Sequence, residues 1–239
     1  MSSKVEFYVG WRSLVNDYAI SGGWTFNGNS FVVIDSLGGV YVFDGVSGNS
    51  IWSNINAHEL GGLVVAMHPS ENKFVTTGQD GKILIWETHK NKSQQISDLG
   101  NNWVENAAWS LDGNLLAVSC SRKVHVFKQD GEQIWTSPDH ISTVSNVVWT
   151  TNNELVTSCY GRVSFFEGVT GSLKQKLEWQ GSLVSMVLSP SGEIVVCGSQ
   201  DNTVHFWRRS TEKDSMMSGY PMKPSLSLIH ISEPTRRTT

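Results

Sequence analysis

The sequence feature that most constrains the fold is an aromatic residue that ends five β-rich runs at a nearly constant spacing. One such run is Ile83-Leu84-Ile85-Trp86, in which β-branched and apolar residues precede the aromatic anchor. The anchors recur about every 40 residues, at Phe43, Trp86, Phe127, Phe166 and Trp207. This period predicts a structural unit that is repeated along the chain.

A second marker keeps the same phase upstream of each anchor. It is followed each time by turn residues and a new apolar run, as at Asp112-Gly113 in the third repeat. The markers are Trp24-Thr25, Met67-His68-Pro69, Trp109-Ser110, Trp149-Thr150 and Leu188-Ser189-Pro190. Short apolar runs separated by tight turns predict a small antiparallel sheet in each repeat.

A single sheet of this kind cannot bury both of its faces, whereas sheets stacked around an axis cover one another. The pattern therefore predicts an all-β fold, a β-propeller. A β-sandwich also has short, regularly spaced strands, but it does not require the same residue at the same phase in every repeat. We expect five consecutive four-stranded antiparallel sheets, without long helices, between Ser13 and Arg208.

The repeats resemble those of the WD40 family, and the second is the most similar. It contains His58, then Met67-His68-Pro69, the run from Thr76 to Gly81, and Ile85-Trp86-Glu87. In that family an incoming-loop His, a strand hydroxyl, a turn Asp and the strand-end Trp form a hydrogen-bonded chain that stiffens the blade. The resemblance implies these roles for His58, Thr77 (with Thr76 as the alternative), Asp80 and Trp86.

The other repeats keep this set only in part. The resemblance implies the His role for His140 in the fourth repeat and the turn and anchor roles for Asp201 and Trp207 in the fifth. Elsewhere other residues stand at the His position (Val15, Gly100 and Trp179) and at the Asp position (Leu37, Ser121 and Tyr160).

The resemblance also divides the chain into segments. Residues 1–12 hold a strand segment, 13–210 the five WD40 repeats, and 211–225 the start of a further blade. Residues 226–239 lack repeat character and resemble a translated adapter from DNA library preparation, so we expect this tail to be non-native. Because WD40 propellers commonly close with seven blades, we expect five blades of a seven-bladed parent, in an incomplete or open ring that leaves Val5–Val9 without partners.

Composition and charge restrict the partners. The net charge of -4 leaves no basic surplus for phosphates, which argues against nucleic acid. No run approaches the ~18 apolar residues of a membrane span, so no membrane contact is expected. The cysteines, Cys120, Cys159 and Cys197, lie in apolar runs without a CxxC pair, which predicts the cytoplasm or another reducing compartment.

Sequence motifs for catalysis and cofactor binding are absent. The chain has no GxSxG elbow, GxGxxG turn or P-loop. Its histidines lack metal-ligand spacing, and His125 and His205 instead alternate within strands at matching phases. We therefore expect no catalytic residue, cofactor or metal site, and no enzyme activity.

Functional residues of such folds lie on loops held by a rigid scaffold. Tyr18 and Trp103 fall six residues before first-strand markers, and aromatic side chains dominate interface hot spots. We predict that both bind partners, with packing against the neighbouring blade as the alternative for Trp103. The predicted function is a scaffold that binds other proteins. The alternative is a small-ligand-binding or enzymatic propeller that uses the central channel.

Overall fold

The structure is a computed structural model that describes residues 10–100, 102–189 and 192–224. The predicted N-terminal strand at Val5–Val9 and the predicted adapter-like tail at 226–239 lie outside the described residues. Among the described residues, no helix is long and apolar enough to cross a membrane.

Strands make up nearly all of the regular structure in the described residues, and one 3-10 turn (Arg209–Thr211) separates the last two. The strands are β1 (Ala19–Trp24), β2 (Ser30–Asp35), β3 (Val40–Asp44), β4 (Ser50–Asn54), β5 (Gly62–Met67), β6 (Lys73–Gly78), β7 (Lys82–Glu87), β8 (Ser93–Asp98), β9 (Val104–Trp109), β10 (Leu115–Cys120), β11 (Lys123–Lys128), β12 (Gln133–Thr136), β13 (Asn146–Trp149), β14 (Glu154–Glu167), β15 (Leu173–Leu188), β16 (Ile194–Ser199), β17 (Val204–Arg208) and β18 (Lys213–Met217).

The chain divides into two compact units, Met1–Trp109 and Ser110–Thr239. The first unit contains two four-stranded antiparallel sheets, in the orders β1-β2-β3-β4 and β5-β6-β7-β8, and β9 packs against β5 and β6. Consecutive strands are neighbours because each tight turn returns the chain beside the strand it has just left. These are the sheets that the first two repeats predict.

The second unit contains the antiparallel strands β10, β11 and β12 and a six-stranded sheet in the order β13 to β18. Two of its strands, β14 with 14 residues and β15 with 16, are far longer than the others. Gly161 lies inside β14 with φ +68°, at the same distance before Phe166 as Gly81, φ +77°, lies before Trp86. A left-handed backbone is the mark of a hairpin turn, so β14 spans two successive strands of the repeat.

The long strand β15 likewise joins two repeats. Its first half pairs with β14 through Leu177 and Val163, and its second half pairs with β16 through Met186 and Cys197. The six-stranded sheet therefore contains the strands of the fourth and fifth repeats. The all-β class and the WD40-type sheets agree with the sequence analysis, while the number of blades stays a prediction.

One boundary needs correction. The sequence predicts that the fifth repeat ends at residue 210 and that a further blade starts at 211. In the structure β18 (Lys213–Met217) pairs along its whole length with β17, for example through Asp214 and Trp207. Residues 213–217 therefore form the outer strand of the fifth repeat, which the polar and exposed character of this segment concealed in the sequence.

All five aromatic anchors are buried, and outer-strand tryptophans pack against two of them, Trp86 and Phe166. The Trp52 ring of β4 lies 5.5 Å from the Trp86 ring, and its Nε1–H donates to the Thr88 carbonyl at 2.8 Å. In the second unit Trp135 of β12 lies 5.9 Å from Phe166 and donates to the Gly168 carbonyl at 2.8 Å. The accepting carbonyl follows the anchor by two residues in both cases. The same tryptophan contact therefore joins one sheet to the next in each unit.

The three cysteines are buried, and none forms a disulfide within the described residues. Burial raises the pKa of the Cys159 and Cys197 thiols, which keeps both groups protonated at neutral pH. They act as small apolar side chains of the sheets.

A partly buried ion pair joins the fourth and fifth repeats within the second unit. The Arg209 guanidinium binds both carboxylate oxygens of Glu154, with Nη2 at 3.0 Å from Oε1 and Nη1 on Oε2. Its Nε–H donates to Gln175 Oε1 at 2.9 Å, and its carbon centre lies 4.3 Å from the centroid of the Phe165 ring. The hydrogen bonds from Arg209 lower the pKa of Glu154, which is therefore ionised at neutral pH.

We expect Glu154→Gln to lower the free energy of unfolding by about 1–3 kcal/mol, because it leaves the Arg209 charge without its partner. Urea unfolding of the variant and the parent measures the difference. Glu132→Gln is the matched control, since Glu132 pairs with Lys128 at 2.6 Å on the surface and should change stability by less than about 1 kcal/mol. Equal effects of the two substitutions would contradict the prediction.

The same pair should make stability depend on pH. The pKa of Glu154 is lower in the folded chain than its ordinary value of 4.5, so its contribution is complete above that value and disappears as the pH falls through the folded pKa. Between about pH 6 and pH 3 the parent should lose more stability than Glu154→Gln. Parallel curves of unfolding free energy against pH would count against this assignment.

Candidate functional site

Loops and turns meet at one end of the sheets in the first unit. Backbone N–H groups of the turns and loops donate to neighbouring carbonyls at 2.9–3.1 Å, from Ser36 to Tyr18, from His58 to Gly38, from Gln79 to Gly61 and from Leu99 to Gly81. We call this surface the loop face and define it as residues 17–18, 36–38, 55–61, 79–81, 99–100 and 102–103. Its backbone is tied together from sheet to sheet, so it offers an ordered surface.

Five large apolar side chains are exposed on the loop face. Tyr18, directly before β1, is 81% exposed, and Trp103, directly before β9, is 53% exposed. The others are Leu37, Ile55 and Leu60. Trp103 is thus half-buried and keeps the other half of its surface open to solvent. Neighbouring exposed apolar side chains are typical of surfaces that bind proteins.

Beneath the loop face a hydrogen-bonded chain crosses the second sheet. Trp86 Nε1–H donates to Thr76 Oγ1 at 2.8 Å, Thr76 Oγ1 lies 2.9 Å from His58 Nε2, and His58 Nδ1 lies 3.0 Å from Asp80 Oδ1. A carboxylate only accepts, so Nδ1 carries the proton and Nε2 accepts from the hydroxyl of Thr76. The chain runs in one direction, from the indole to the carboxylate, and all four side chains are buried.

The strand hydroxyl of this chain belongs to Thr76, which corrects the assignment to Thr77. Thr76 pairs with Leu84 and lies on the same face of the sheet as Trp86, because alternate residues of a strand share a face. Thr77 points to the opposite face, where its Oγ1 donates to the Val104 carbonyl at 2.8 Å. The two adjacent threonines could not be separated without the register of β6 on β7.

Asp80 ties the network to the loop face. Its carboxylate also accepts the backbone N–H of Glu59 at 3.1 Å and that of Lys82 at 3.2 Å. Burial by itself would raise the pKa of Asp80, but the hydrogen bond and charge of His58, together with these two N–H groups, lower it below its usual value. The ionised carboxylate thereby holds the incoming loop to the turn between β6 and β7.

The fourth repeat keeps only part of this chain. His140 Nε2 lies 2.9 Å from Thr157 Oγ1, and its Nδ1 lies 3.0 Å from the Arg122 carbonyl. Burial lowers the pKa of His140, so the ring is neutral at pH 7. Tyr160 takes the place of the turn Asp, and the anchor Phe166 has no N–H to donate. His140 therefore meets a strand hydroxyl but no carboxylate.

The fifth repeat keeps the turn Asp and the anchor Trp, but no hydrogen bond that the structure records joins them. Asp201 accepts the N–H and the hydroxyl of Thr203 at 3.1 and 2.5 Å, and Thr203 Oγ1 lies 2.9 Å from His205 Nε2. The Trp207 ring lies 5.5 Å from the His205 ring. Trp179 replaces the loop His and lies 4.0 Å from His205, so the indole fills the space of the missing network.

A buried pair in the first repeat was missed by the sequence analysis. Tyr41 Oη–H donates to Asp35 Oδ2 at 2.7 Å, and Asp35 also accepts the N–H of Gly39 at 2.7 Å. Burial, followed by the hydrogen bond to Asp35, raises the pKa of Tyr41 to about 12. Its position in the repeat could have indicated this pair. Tyr41 stands two residues before the anchor Phe43, as the polar residues His125 and His205 stand before their own anchors.

The charged groups of the loop face pair with one another. Lys82 Nζ lies 2.7 Å from Glu59 Oε1 and 4.0 Å from Asp80 Oδ2. In the part of the chain that the structure describes, no group of three or more His, Cys, Asp or Glu side chains could hold a metal ion.

Comparison with known proteins agrees with this geometry. The pattern of the WD domain, G-beta repeat (WD40), matches residues 49–87 and 171–208. The ciliary WD repeat-containing protein ctxp80 of Euplotoides octocarinatus is 29% identical over 152 residues, which are 62% of this chain. The B-type cell cycle switch protein ccs52B of Medicago truncatula is 26% identical over 146 residues, 57% of this chain. The chain is a WD40-repeat protein.

The matched stretches of this WD40-repeat protein end in its second and fifth repeats. These are the repeats that keep both the turn Asp and the strand-end Trp, as Asp80 with Trp86 and Asp201 with Trp207. The matched regions cover 18% of ctxp80 and 30% of ccs52B, so the chain spans less than a third of either relative. WD40 repeats generally mediate protein interactions, and the family is generally non-enzymatic.

We expect Trp86→Ala to lower the free energy of unfolding by about 3–5 kcal/mol, because it empties a buried aromatic site. Trp86→Phe should cost about 1 kcal/mol, since it removes chiefly the hydrogen bond to Thr76. Asp80→Ala should cost about 1–3 kcal/mol, because the His58 and loop N–H donors lose their acceptor.

Urea unfolding measures the free energy of unfolding of all three variants, with the substitution of the half-exposed Trp103 by Phe as control. If the unfolding free energies of Trp86→Ala and Asp80→Ala lie within about 0.5 kcal/mol of the parent, this hydrogen-bonded chain does not stiffen the sheet.

Proposed function

We propose that this WD40-repeat protein is a protein-interaction scaffold that binds partner proteins through its loop face. The observation that carries the proposal is the group of exposed apolar side chains on the loop face, led by Tyr18 and Trp103. Large aromatic side chains give much contact area for little conformational entropy, which makes them frequent centres of binding energy.

Pre-organisation of the loop face supports the proposal. The Tyr18 backbone is fixed on both sides, since its N–H donates to Asp17 Oδ1 at 2.9 Å and its carbonyl accepts from Ser36 N–H. The Asp80 carboxylate fixes the Glu59 backbone in the same way. Loops that are already ordered pay less entropy on binding than flexible ones.

The three buried cysteines, which form no disulfide within the described residues, support the cytoplasm, or another reducing compartment, as the place where this scaffold works.

The test compares two double variants in quantitative affinity capture. Tyr18→Ala with Trp103→Ala should reduce recovery of specific partners at least tenfold, because each truncation removes roughly 1–2 kcal/mol of hot-spot contact. The matched control is Phe26→Ala with Val46→Ala, which removes an aromatic and an aliphatic side chain that are 51% and 86% exposed. Both control residues lie at the opposite end of the first sheet, in the β1–β2 and β3–β4 turns. If both double variants recover the same partners in equal amounts, the loop face is not the binding surface.

A further inference from the structure

The second unit has a groove of its own in the fourth repeat. A pocket of about 230 Å³ is lined by His140, Ile141, Ser164, Phe166, Leu173 and Arg162, among others. A more open depression lined by Tyr160, Glu178 and Trp179 adjoins it, and both share Ile141 and Arg162. We call the pocket and the depression together the fourth-repeat groove.

The pocket exists because one apolar side chain is missing from the fourth repeat. Ser164 stands two residues before Phe166, the position that Leu84 holds before Trp86. Leu84 is buried in the core of the first unit, where Trp52 and Ala57 pack against the same cluster. A serine in this place leaves the side-chain volume of a leucine unfilled between Phe166 and the outer strand.

Arg162, the cation that lines the pocket, has a donor without a hydrogen-bond acceptor among the described residues. Arg162 takes the position of Lys82, which has two carboxylates nearby, Glu59 and Asp80. Arg162 Nη2 reaches Glu178 Oε1 at 3.0 Å, but its Nε is buried and has no hydrogen-bond partner among the described residues. Lys176 also lines the pocket, and the structure records no salt bridge for it within the described residues. The groove therefore combines an apolar cavity with donors that lack an acceptor.

We propose that the fourth-repeat groove binds a linear segment of a partner protein in which a Leu, Ile or Met side chain stands next to, or within a few residues of, an Asp or Glu. The apolar side chain enters between Phe166 and Leu173, and the carboxylate accepts from Arg162 and Lys176. The ligand carboxylate would be the acceptor that these donors lack within the described residues, and hydrogen bonds between charged groups are stronger than those between neutral ones.

The size and lining of the pocket favour this occupant. The pocket is smaller than the roughly 300–1,000 Å³ that drug-sized ligands occupy, and it suits one aliphatic side chain. His140 on its wall is held by Thr157 and the Arg122 carbonyl, so the ring adds no positive charge at neutral pH. Asp139, the acid beside the pocket, already lies near Arg122 and Lys123, at 3.9 and 3.7 Å. Arg162 already pairs with Glu178, so Lys176 is the lining cation for which the described residues show no salt bridge, and Arg162 adds its unpaired Nε–H.

The test uses synthetic, fluorescently labelled decapeptides built on glycine and serine. One series carries a single Leu followed by Asp after zero, one or two serines, and matched series replace Asp by Lys or Leu by Ala. Fluorescence anisotropy with the full chain should show at least tenfold tighter binding for the best Leu and Asp peptide than for its Lys or Ala counterpart. Raising the salt concentration should weaken that binding, because screening acts on the carboxylate contact.

Two variants of the chain locate the binding. Ser164→Leu restores the residue type of the second repeat, and it should reduce affinity at least tenfold while the melting temperature stays the same or rises. Arg162→Gln should abolish the preference for the Asp over the Lys peptide. Equal binding of the two peptides, no binding in the whole series, or unchanged affinity of Ser164→Leu would each overturn the proposal.

This inference is independent of the loop face. The Tyr18→Ala and Trp103→Ala double variant should bind the peptide with the affinity of the parent, because both residues lie in the other unit. Loss of partner capture with that variant tests the loop face alone. Loss of peptide binding in Ser164→Leu tests the groove alone.

Discussion

The contact on which the rest of the structure depends is that of an outer-strand tryptophan with the aromatic anchor of the following sheet. A four-stranded sheet with two apolar faces is stable only when its neighbours cover it. Trp52 covers Trp86 and places its N–H on the Thr88 carbonyl, and Trp135 does the same for Phe166 and Gly168. The indole thus buries its ring and satisfies its one polar group in a single contact. The ring and the acceptor are two residues apart in both places, so the same contact joins two different pairs of sheets.

The parts of the fold that depend on period were predictable from the sequence, and those that depend on register were not. The anchors kept their phase because every sheet needs a buried aromatic side chain at the same place. Thr76 and Thr77 are equivalent in sequence, and only the pairing of β6 with β7 shows which hydroxyl faces Trp86. The outer strand Lys213–Met217 was missed because it is largely exposed, and exposed strands lack the apolar pattern that marks buried ones.

The polar networks of the repeats differ in residues but serve one physical requirement. The turn between the second and third strands of each sheet exposes backbone N–H groups that need acceptors. Asp80 accepts the N–H of Lys82 in the second repeat, Asp35 those of Leu37 and Gly39 in the first, and Asp201 that of Thr203 in the fifth. A carboxylate at the turn is common to these three repeats, whereas its side-chain partner is a histidine in the second, a tyrosine in the first and a threonine in the fifth. Sequence comparison by position finds Asp80 and Asp201 but misses Asp35, which lies two residues earlier.

The fourth repeat lacks such a carboxylate and also has Ser164 in place of a leucine, and its groove lies where these two differences meet. With Tyr160 in the place of the turn Asp, the N–H of that residue is satisfied by Ser142 Oγ at 2.8 Å, and no acid remains at the turn for Arg162. With Ser164 in the place of Leu84, the adjacent space is unfilled. Phe166 nevertheless stays buried, because Trp135 covers it from the preceding outer strand. The fourth repeat thus keeps the aromatic contact without the turn carboxylate and without a leucine at position 164, and both differences from the second repeat lie close to Arg162.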